Sequence, residues 1–329
     1  MPAMTQRALP RFAAFAAAAV FSATGFAQAW KPEKNVEIIV PAAPGAAFDT
    51  TGRTIQRLLQ DQKMLPGTSS VINKAGGGGT IAMSYLNQHA GDAHYLFVMT
   101  ASVLTNHILG VSKDTYTDFS PLAMLFSEYL AYGVRTDSPI KSARDLAEAL
   151  RKDPTRYSIA VATSRGGALH IATGMALKAA GVDVKKLRIV VFNANAESLT
   201  SMLGGHVDVA VSTVNSFAPH AQAGKLRVIA VSSPRRLKGF GDAPTWKEQG
   251  INSEYASWRG MMGPRGLNAA QIAYWEDAFG RLTRTEEWRQ DVEKNLWEVT
   301  YKGSRDTVRE MEQHYDEMKR ILVDLELVK

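Results

Sequence analysis

The sequence predicts an α/β fold of two lobes joined by two crossing strands, with a ligand cleft between the lobes. Strand-like apolar segments alternate with helix-like amphipathic segments along the 329 residues, which is the order that builds parallel sheets with helices on both faces. In addition, a short strand, a glycine-rich turn and a helix follow one another three times. Each turn brings backbone N–H groups to a helix start, where the helix dipole favours an anion.

The three units differ in length but share one layout. In the first unit the strand spans 36–40, the turn spans 44–49 and the helix begins at Thr50. In the second unit the strand spans 71–73, the turn spans 76–79 and the helix begins at Thr80. In the third unit the strand spans 157–163, the turn spans 164–167 and the helix begins at Ala168. Apolar patterning predicts further strands at 95–99, 129–134, 188–192, 207–212 and 226–232. It predicts further helices at 142–150, with Ser142 as N-cap, and at 198–203, 269–282 and 305–325.

The order of these segments predicts how the chain is divided into lobes. Residues 30–128 and 235–329 form the first lobe, and residues 129–234 form a second lobe inserted into it. The strands at 129–134 and 226–232 are then the two crossings. Two crossings act as a hinge, which suits a binding protein that closes on its ligand.

Residues 1–29 have the pattern of a bacterial export signal. Arg7 and Arg11 precede an apolar stretch at 12–21, and a small-x-small motif ends at Ala29. The apolar stretch is too short to cross roughly 30 Å of hydrocarbon. We therefore expect cleavage after Ala29 and a soluble, monomeric protein in the periplasm.

Composition excludes several classes of function. The chain has no cysteine, which excludes disulfides, zinc–thiolate sites and thiol catalysis. Its net charge of +6 is mild and comes without a basic run, so we expect no nucleic-acid partner. The seven histidines lack metal-ligand spacing, and the glycine run 76–79 fits no nucleotide-binding motif, so neither a metal nor a cofactor is expected.

Ser164 supports two interpretations. It lies between a strand and a helix, as the nucleophile of an α/β-hydrolase does, and Asp208 and His220 follow in hydrolase order. However, Ala162 stands where the first glycine of that motif belongs. A periplasmic esterase is thus the alternative to a non-enzymatic receptor in which Ser164 contacts the ligand.

Four further side chains are candidates for a role in ligand binding or in the structure. Asp49 either caps the first helix or hydrogen-bonds water and ligand, and His170 either faces the cleft or packs against backbone. Arg165 lies on the third turn and is the expected cation for a ligand acid. Arg259 either forms a bidentate pair with a ligand carboxylate or a structural salt bridge, and the salt bridge is the expectation.

Several blocks of the chain together resemble the Bug family, the periplasmic receptors of tripartite tricarboxylate transporters. The resemblance extends from Trp30 to the C-terminus. Its Trp258-Arg259-Gly260 and Glu128-Tyr129 features look most like the tricarboxylate-receptor branch of the family. Its blocks are Val40-Pro41-Ala42-Ala43-Pro44-Gly45-Ala46-Ala47-Phe48-Asp49, Asn73-Lys74-Ala75-Gly76-Gly77-Gly78-Gly79-Thr80-Ile81-Ala82, Ser164-Arg165-Gly166-Gly167-Ala168-Leu169-His170, Leu203-Gly204-Gly205-His206-Val207-Asp208-Val209, Ala223-Gly224-Lys225-Leu226-Arg227, Pro244-Thr245-Trp246-Lys247-Glu248-Gln249-Gly250 and Trp258-Arg259-Gly260.

The resemblance implies a two-lobed periplasmic binding protein of the type II kind that binds a small di- or tricarboxylate. It would deliver this acid to a membrane permease or present it to a sensor kinase. The ligand contacts implied by position are Ala46, Phe48 and Asp49 in the first lobe, Ser164, Gly166, Gly167 and His170 in the second, and Thr100 and Ser102 along the same cleft.

Departures from the family pattern bear on the ligand. Ala46 and Ala47 replace glycines, Phe48 adds apolar bulk, Arg165 adds a charge, and Leu169 replaces a polar residue. A β-carbon at the first turn narrows the approach to the backbone. These changes leave carboxylate binding as the expectation but argue against citrate.

Overall fold

The computed structural model describes Met1 and residues 30–328. The predicted cleavage site and the rest of the signal segment lie outside the described residues. Within the described part of the chain, no helix is both long enough and apolar enough to cross a membrane.

Ten strands are present in the described residues. They are β1 (Val36–Val40), β2 (Ser69–Asn73), β3 (Tyr95–Met99), β4 (Ser120–Arg135), β5 (Ser158–Ala162), β6 (Arg188–Phe192), β7 (Val209–Thr213), β8 (Leu226–Val231), β9 (Ala256–Gly263) and β10 (Trp297–Gly303). The segment predicted at 129–134 is only the second part of β4, which has 16 residues. The sequence patterns did not indicate β9 or β10.

Ten α-helices connect these strands in the described residues. They are α1 (Ala47–Asp61), α2 (Thr80–Asn87), α3 (Ser102–Ile108), α4 (Ala143–Lys152), α5 (Ala168–Ala179), α6 (Asn195–Leu203), α7 (Val214–Gln222), α8 (Ala269–Leu282), α9 (Glu286–Lys294) and α10 (Ser304–Asp324). Helices α2 and α5 begin at the predicted residues. The predicted N-cap of α4 is confirmed, because Ser142 Oγ accepts a hydrogen bond from the Asp145 N–H at 3.1 Å.

The strands form two groups that share β4. The first strand group is β1, β2, β3, β9, β10 and the beginning of β4, and the second is β5, β6, β7, β8 and the end of β4. Helices α1 and α8 pack on one face of the first group, and α2 and α3 pack on the other. In the second group, α4 and α5 cover one face while α6 and α7 cover the opposite one.

The prediction of parallel sheets is right for the edges and wrong for the centre. Strand β1 is parallel to β2 and β3, and β5 is parallel to β6 and β7. The central strand β4 is antiparallel to β7, β8, β9 and β10. Because β4 leaves the first group and β9 returns to it, these two strands run in opposite directions, unlike strands linked by a crossover helix.

Three segments link the two groups. Strand β4 pairs with β9 up to Tyr129 and with β7 from Leu130 onward, so it crosses without a break. The chain returns between β8 and β9. Helix α10 makes a third link, because Met318, Leu322 and Leu325 are buried in the core of the second group. The lobe boundaries at 129 and 234 stay a prediction, and α10 is a connection that this prediction did not include.

Candidate functional site

The first glycine-rich turn is held by Asp49. Its Oδ2 accepts hydrogen bonds from the Gly45 N–H at 2.8 Å and from Arg53 Nε at 2.9 Å, and its Oδ1 accepts from Asn73 Nδ2 at 2.9 Å. Asn73 also donates to the Ala42 carbonyl at 3.0 Å. The carboxylate therefore ties the turn to α1 and to the end of β2.

These bonds keep Asp49 ionised. Burial by itself would raise the pKa of the carboxyl, but the hydrogen bonds from Arg53, Gly45 and Asn73 outweigh it and hold the pKa below its usual value. A second anion beside this charge is unfavourable unless N–H groups or water intervene. The structure therefore gives Asp49 a structural role, and its contact with a ligand stays a prediction.

Ala46 and Phe48 lie on either side of the start of α1. Ala46 is the N-cap residue and has no side chain that could accept from the first amide groups of the helix. The Phe48 ring lies 4.4 Å from the guanidinium carbon of Arg259. As expected, Arg259 forms a salt bridge, with the buried Glu128, and its Nη1 donates to Ser257 Oγ at 2.9 Å. The guanidinium of Arg259 is thus already engaged by Glu128 and Ser257 below the first glycine-rich turn.

Thr100 and Ser102 follow β3 at the same edge of the sheet. The Thr100 hydroxyl donates to Ser102 Oγ at 3.1 Å and accepts from the Ser102 N–H at 3.1 Å. A β-carbon placed on Gly79 would lie 3.4 Å from Pro41 Cβ and 3.7 Å from Ser102 Oγ. The second glycine turn therefore lies close to the segment after β1 and to the start of α3.

The third turn carries backbone strain. The Ser164 N–H donates to the Ala162 carbonyl at 3.1 Å, and Thr163 between them has φ 73°, so the three residues form a γ-turn of the unfavourable form. A β-branched residue in this region is an outlier, and such strain costs about 1–3 kcal/mol and concentrates at functional sites. Gly167, the N-cap of α5, also lacks a capping side chain.

His170 supports the third turn from inside. Its Nδ1 accepts a hydrogen bond from the Gly166 N–H at 2.9 Å. Burial, assisted by the nearby charge of Arg165, lowers the pKa of His170 to about 4. The ring is therefore neutral at pH 7 and carries its proton on Nε2. Of the two interpretations, the structure shows backbone bonding, and a contact with the ligand stays a prediction.

Arg165 is exposed on the same turn. It forms no ion pair with any residue that the structure describes, whereas Arg259 is buried against Glu128. An exposed guanidinium keeps its planar set of donors available for a carboxylate. Of Arg165 and Arg259, Arg165 is therefore the cation that an incoming acid can reach.

The two strand groups meet at the glycine turns. A β-carbon on Gly78 would lie 3.9 Å from Ser164 Cβ, and one on Gly166 would lie 2.6 Å from Leu109 Cδ1 in the segment after α3. Asn106 of α3 holds the second turn, donating to the Gly78 carbonyl at 3.0 Å. Sequence reasoning missed Asn106 and Leu109, because α3 is too short to give a clear periodic signal.

The geometry argues against a serine hydrolase. Asp208 Oδ2 accepts from the Ser158 N–H and hydroxyl at 2.8 and 2.7 Å, which places it at the first residue of β5. Ser164 follows the other end of this five-residue strand, which spans about 16 Å. Asp208 therefore cannot orient a histidine against Ser164, as a catalytic triad requires.

Comparison with known proteins identifies the family and agrees with the fold. Residues 53–327 match the sequence profile of the tripartite tricarboxylate transporter family receptor. The UPF0065 protein in the gbd 5' region of Cupriavidus necator is 25% identical over 319 residues, covering 96% of this chain and 95% of that protein. Protein BugT of Bordetella pertussis is 25% identical over 242 residues, covering 72% of each chain.

The solved structure of the periplasmic binding protein BugD has the same fold. It superposes with a TM-score of 0.80 at 24% identity and covers 91% of this chain and 99% of its own. The protein is thus a solute-binding receptor with the two-lobed α/β fold of periplasmic binding proteins. It belongs to the tripartite tricarboxylate transporter receptor family, the family that its sequence blocks resemble, whose members are receptors and not enzymes.

Proposed function

We propose that this protein binds a small organic acid with two or more carboxylates between its two strand groups and delivers it to a membrane permease of the tripartite tricarboxylate type. The observation that carries the proposal is the meeting of the second and third glycine turns, at Gly78 and Ser164. These turns come from different strand groups. A ligand bound between them contacts both groups at once, so it favours their closed arrangement.

The two ends of the ligand would meet different donors. One carboxylate lies against the start of α1, where Ala46 leaves the first amide groups without a side-chain acceptor. The other carboxylate meets Arg165 and the Ser164 hydroxyl on the third turn. Thr100 and Ser102 border the space between them, and Gly166 and Gly167 let the backbone approach closely.

Carboxylate ligands in proteins of the same fold support this class of ligand. A Rhodopseudomonas palustris protein solved with adipate superposes with a TM-score of 0.81 at 22% identity. MatC from the same species, solved with bound malate, gives a TM-score of 0.74 at 22% identity. Both ligands are dicarboxylates, which fits a site with two separate anion donors.

The family and the N-terminal pattern support the proposals of export and of a permease partner. The family is named for receptors of tripartite transporters, which supports a permease as the partner. A sensor kinase would use the same closed state and is the second candidate partner. The signal pattern supports cleavage after Ala29. Mass spectrometry of the periplasmic protein would give a chain that begins at Trp30, and size-exclusion chromatography would give a monomer.

The decisive test compares ligand classes in one variant. Calorimetry with mono-, di- and tricarboxylates should show that Arg165→Ala lowers the affinity for di- and tricarboxylates by about ten- to a hundredfold. This is the loss in affinity expected when one charge-assisted contact is removed. Monocarboxylates should be affected much less. Arg188→Ala is the matched control, because Arg188 is also exposed but lies beside Ser158 at the opposite end of the strands.

Two outcomes would contradict the proposal. Equal losses for all ligand classes would remove Arg165 from the site, and absence of binding to every carboxylate would reject the ligand class. Ser164→Ala should lower affinity, and an ester assay of the wild type should show no turnover. Ester hydrolysis that disappears in Ser164→Ala would favour the hydrolase instead.

A further inference from the structure

A separate cavity of about 480 Å³ lies beneath α10, where this helix passes from the first strand group to the second. Its walls come from β4, β9, β10 and α10, and Met175 of α5 closes one end. None of the ten predicted site residues lines it. The volume falls in the range of small-molecule sites, roughly 300–1,000 Å³.

The floor of the cavity is apolar and aromatic. Trp258 and Tyr255 line it together with Met124 and Met318, and all four side chains are buried. Aromatic faces attract cations, and methionine side chains adapt to irregular apolar groups. The floor therefore suits a ligand with an apolar body and a positive group.

One face of α10 supplies the polar wall, through Glu310, His314 and Glu317. Glu310 is neutralised by Lys302, whose Nζ lies 2.5 Å from Oε2. Glu317 has no ion pair with any described residue. Burial raises the pKa of Tyr255, and the negative charge of Glu317 raises it further. Glu254 at the rim pairs with Lys247 at 2.6 Å. The cavity thus contains one uncompensated negative charge, on Glu317.

His314 contributes a neutral ring to the same wall. Its ring stacks on Trp258 with centroids 6.2 Å apart, and its Nε2 faces Glu310 Oε1 at 3.6 Å. Burial lowers the pKa of His314, so the ring is neutral at pH 7. Its Nδ1 atom is buried and has no hydrogen-bond partner among the described residues. The neutral ring, and not this atom, therefore borders the cavity.

We propose that this cavity binds a primary organic ammonium ion with an apolar body. The ammonium group pairs with Glu317, and the apolar body lies on Trp258 and the methionine side chains. A carboxylate does not fit, because Glu317 repels it. The site is distinct from the acid cleft, and it adjoins the helix that links the two strand groups.

The test uses three ligands of one shape and different charge. Calorimetry at pH 7 with 2-phenylethylammonium should give saturable binding at one site. The neutral 2-phenylethanol and the anionic 3-phenylpropionate should bind at least tenfold more weakly. Equal binding of the alcohol, or stronger binding of the anion, would overturn the proposal, as would the absence of ammonium binding.

Matched variants on α10 locate the site. Glu317→Gln should weaken the ammonium ion at least tenfold, whereas Glu312→Gln, at an exposed position of the same helix, should leave its affinity unchanged. Unchanged affinity in Glu317→Gln would overturn the proposal. Urea unfolding verifies that each variant is folded, and carboxylate binding measured in parallel distinguishes this site from the cleft.

Discussion

At the first glycine-rich turn, the Asp49 carboxylate is bound by three N–H donors of the protein itself. The donors are the Gly45 backbone, Arg53 and Asn73, and the Asp49 side chain is 4% exposed. A buried carboxylate with this set of donors stabilises the folded chain in its ionised form. The effect of removing its charge should therefore depend on pH.

We expect Asp49→Asn to lower the free energy of unfolding by about 2 kcal/mol at pH 7, because charge-assisted hydrogen bonds are lost. The folded-state pKa of Asp49 lies below the unfolded value, so its contribution is present above about pH 4 and disappears as pH falls through the folded pKa. Urea unfolding between pH 7 and pH 3 should show the two proteins converging at low pH.

Asp61→Asn provides the control for this experiment. Asp61 lies at the end of the same helix, its side chain is 58% exposed, and its only described partner is Arg57 at 3.5 Å. Its replacement should change stability by less than about 0.5 kcal/mol. An Asp49→Asn difference that stayed constant with pH would show that the ionised carboxylate is not the stabilising form.

At the scale of elements, Gly260 permits the close pairing of β9 and β4. A β-carbon on Gly260 would lie 2.3 Å from the Ala123 carbonyl oxygen and 3.1 Å from Met124 Cα, both of which are backbone atoms. The register between the strands also shifts between Met124 and Phe126, which marks a bulge. The glycine of the Trp-Arg-Gly block therefore serves strand packing.

Gly260→Ala should destabilise the protein by about 1–3 kcal/mol, the usual cost of overpacking, since backbone must move to admit the methyl group. Gly67→Ala is the control, because its β-carbon would come no closer than 3.8 Å to another atom. Neither glycine has a positive φ, so backbone strain is equal in the comparison. Equal stability of the two variants in urea would contradict the close approach.

At the scale of the whole molecule, α10 joins the two strand groups from outside the sheet. Met311 is buried in the core of the first group, and Leu322 is buried in that of the second. Leu325, just after the helix, also packs against α5, where a β-carbon on Gly174 would lie 2.5 Å from Leu325 Cδ2. The helix therefore limits how the groups move relative to each other.

Leu322→Ala should reduce the free energy of unfolding by about 2–5 kcal/mol, the range for a buried leucine replaced by alanine. Val323→Ala, at the next residue, should cost less than about 0.5 kcal/mol, because Val323 is 46% exposed. Urea unfolding followed by tryptophan fluorescence provides the comparison. Similar midpoints for the two variants would show that the end of α10 does not hold the second group.

The sequence by itself determined the α/β class, the three strand–turn–helix units and the family. These depend on apolar periodicity and on glycines at turns, which act over a few neighbouring residues. For this reason α2 and α5 begin at the predicted residues. The family blocks add their order along the chain, which is also a property of sequence alone.

Only the tertiary structure decided what the site residues contact. Asp49 is bound by Asn73, 24 positions away, and Arg259 by Glu128, 131 positions away. The antiparallel centre of the sheet and the cavity beneath α10 arise in the same manner from distant segments. Pairings of this kind depend on how whole elements pack, and local patterns in a single sequence do not encode which distant partner completes them.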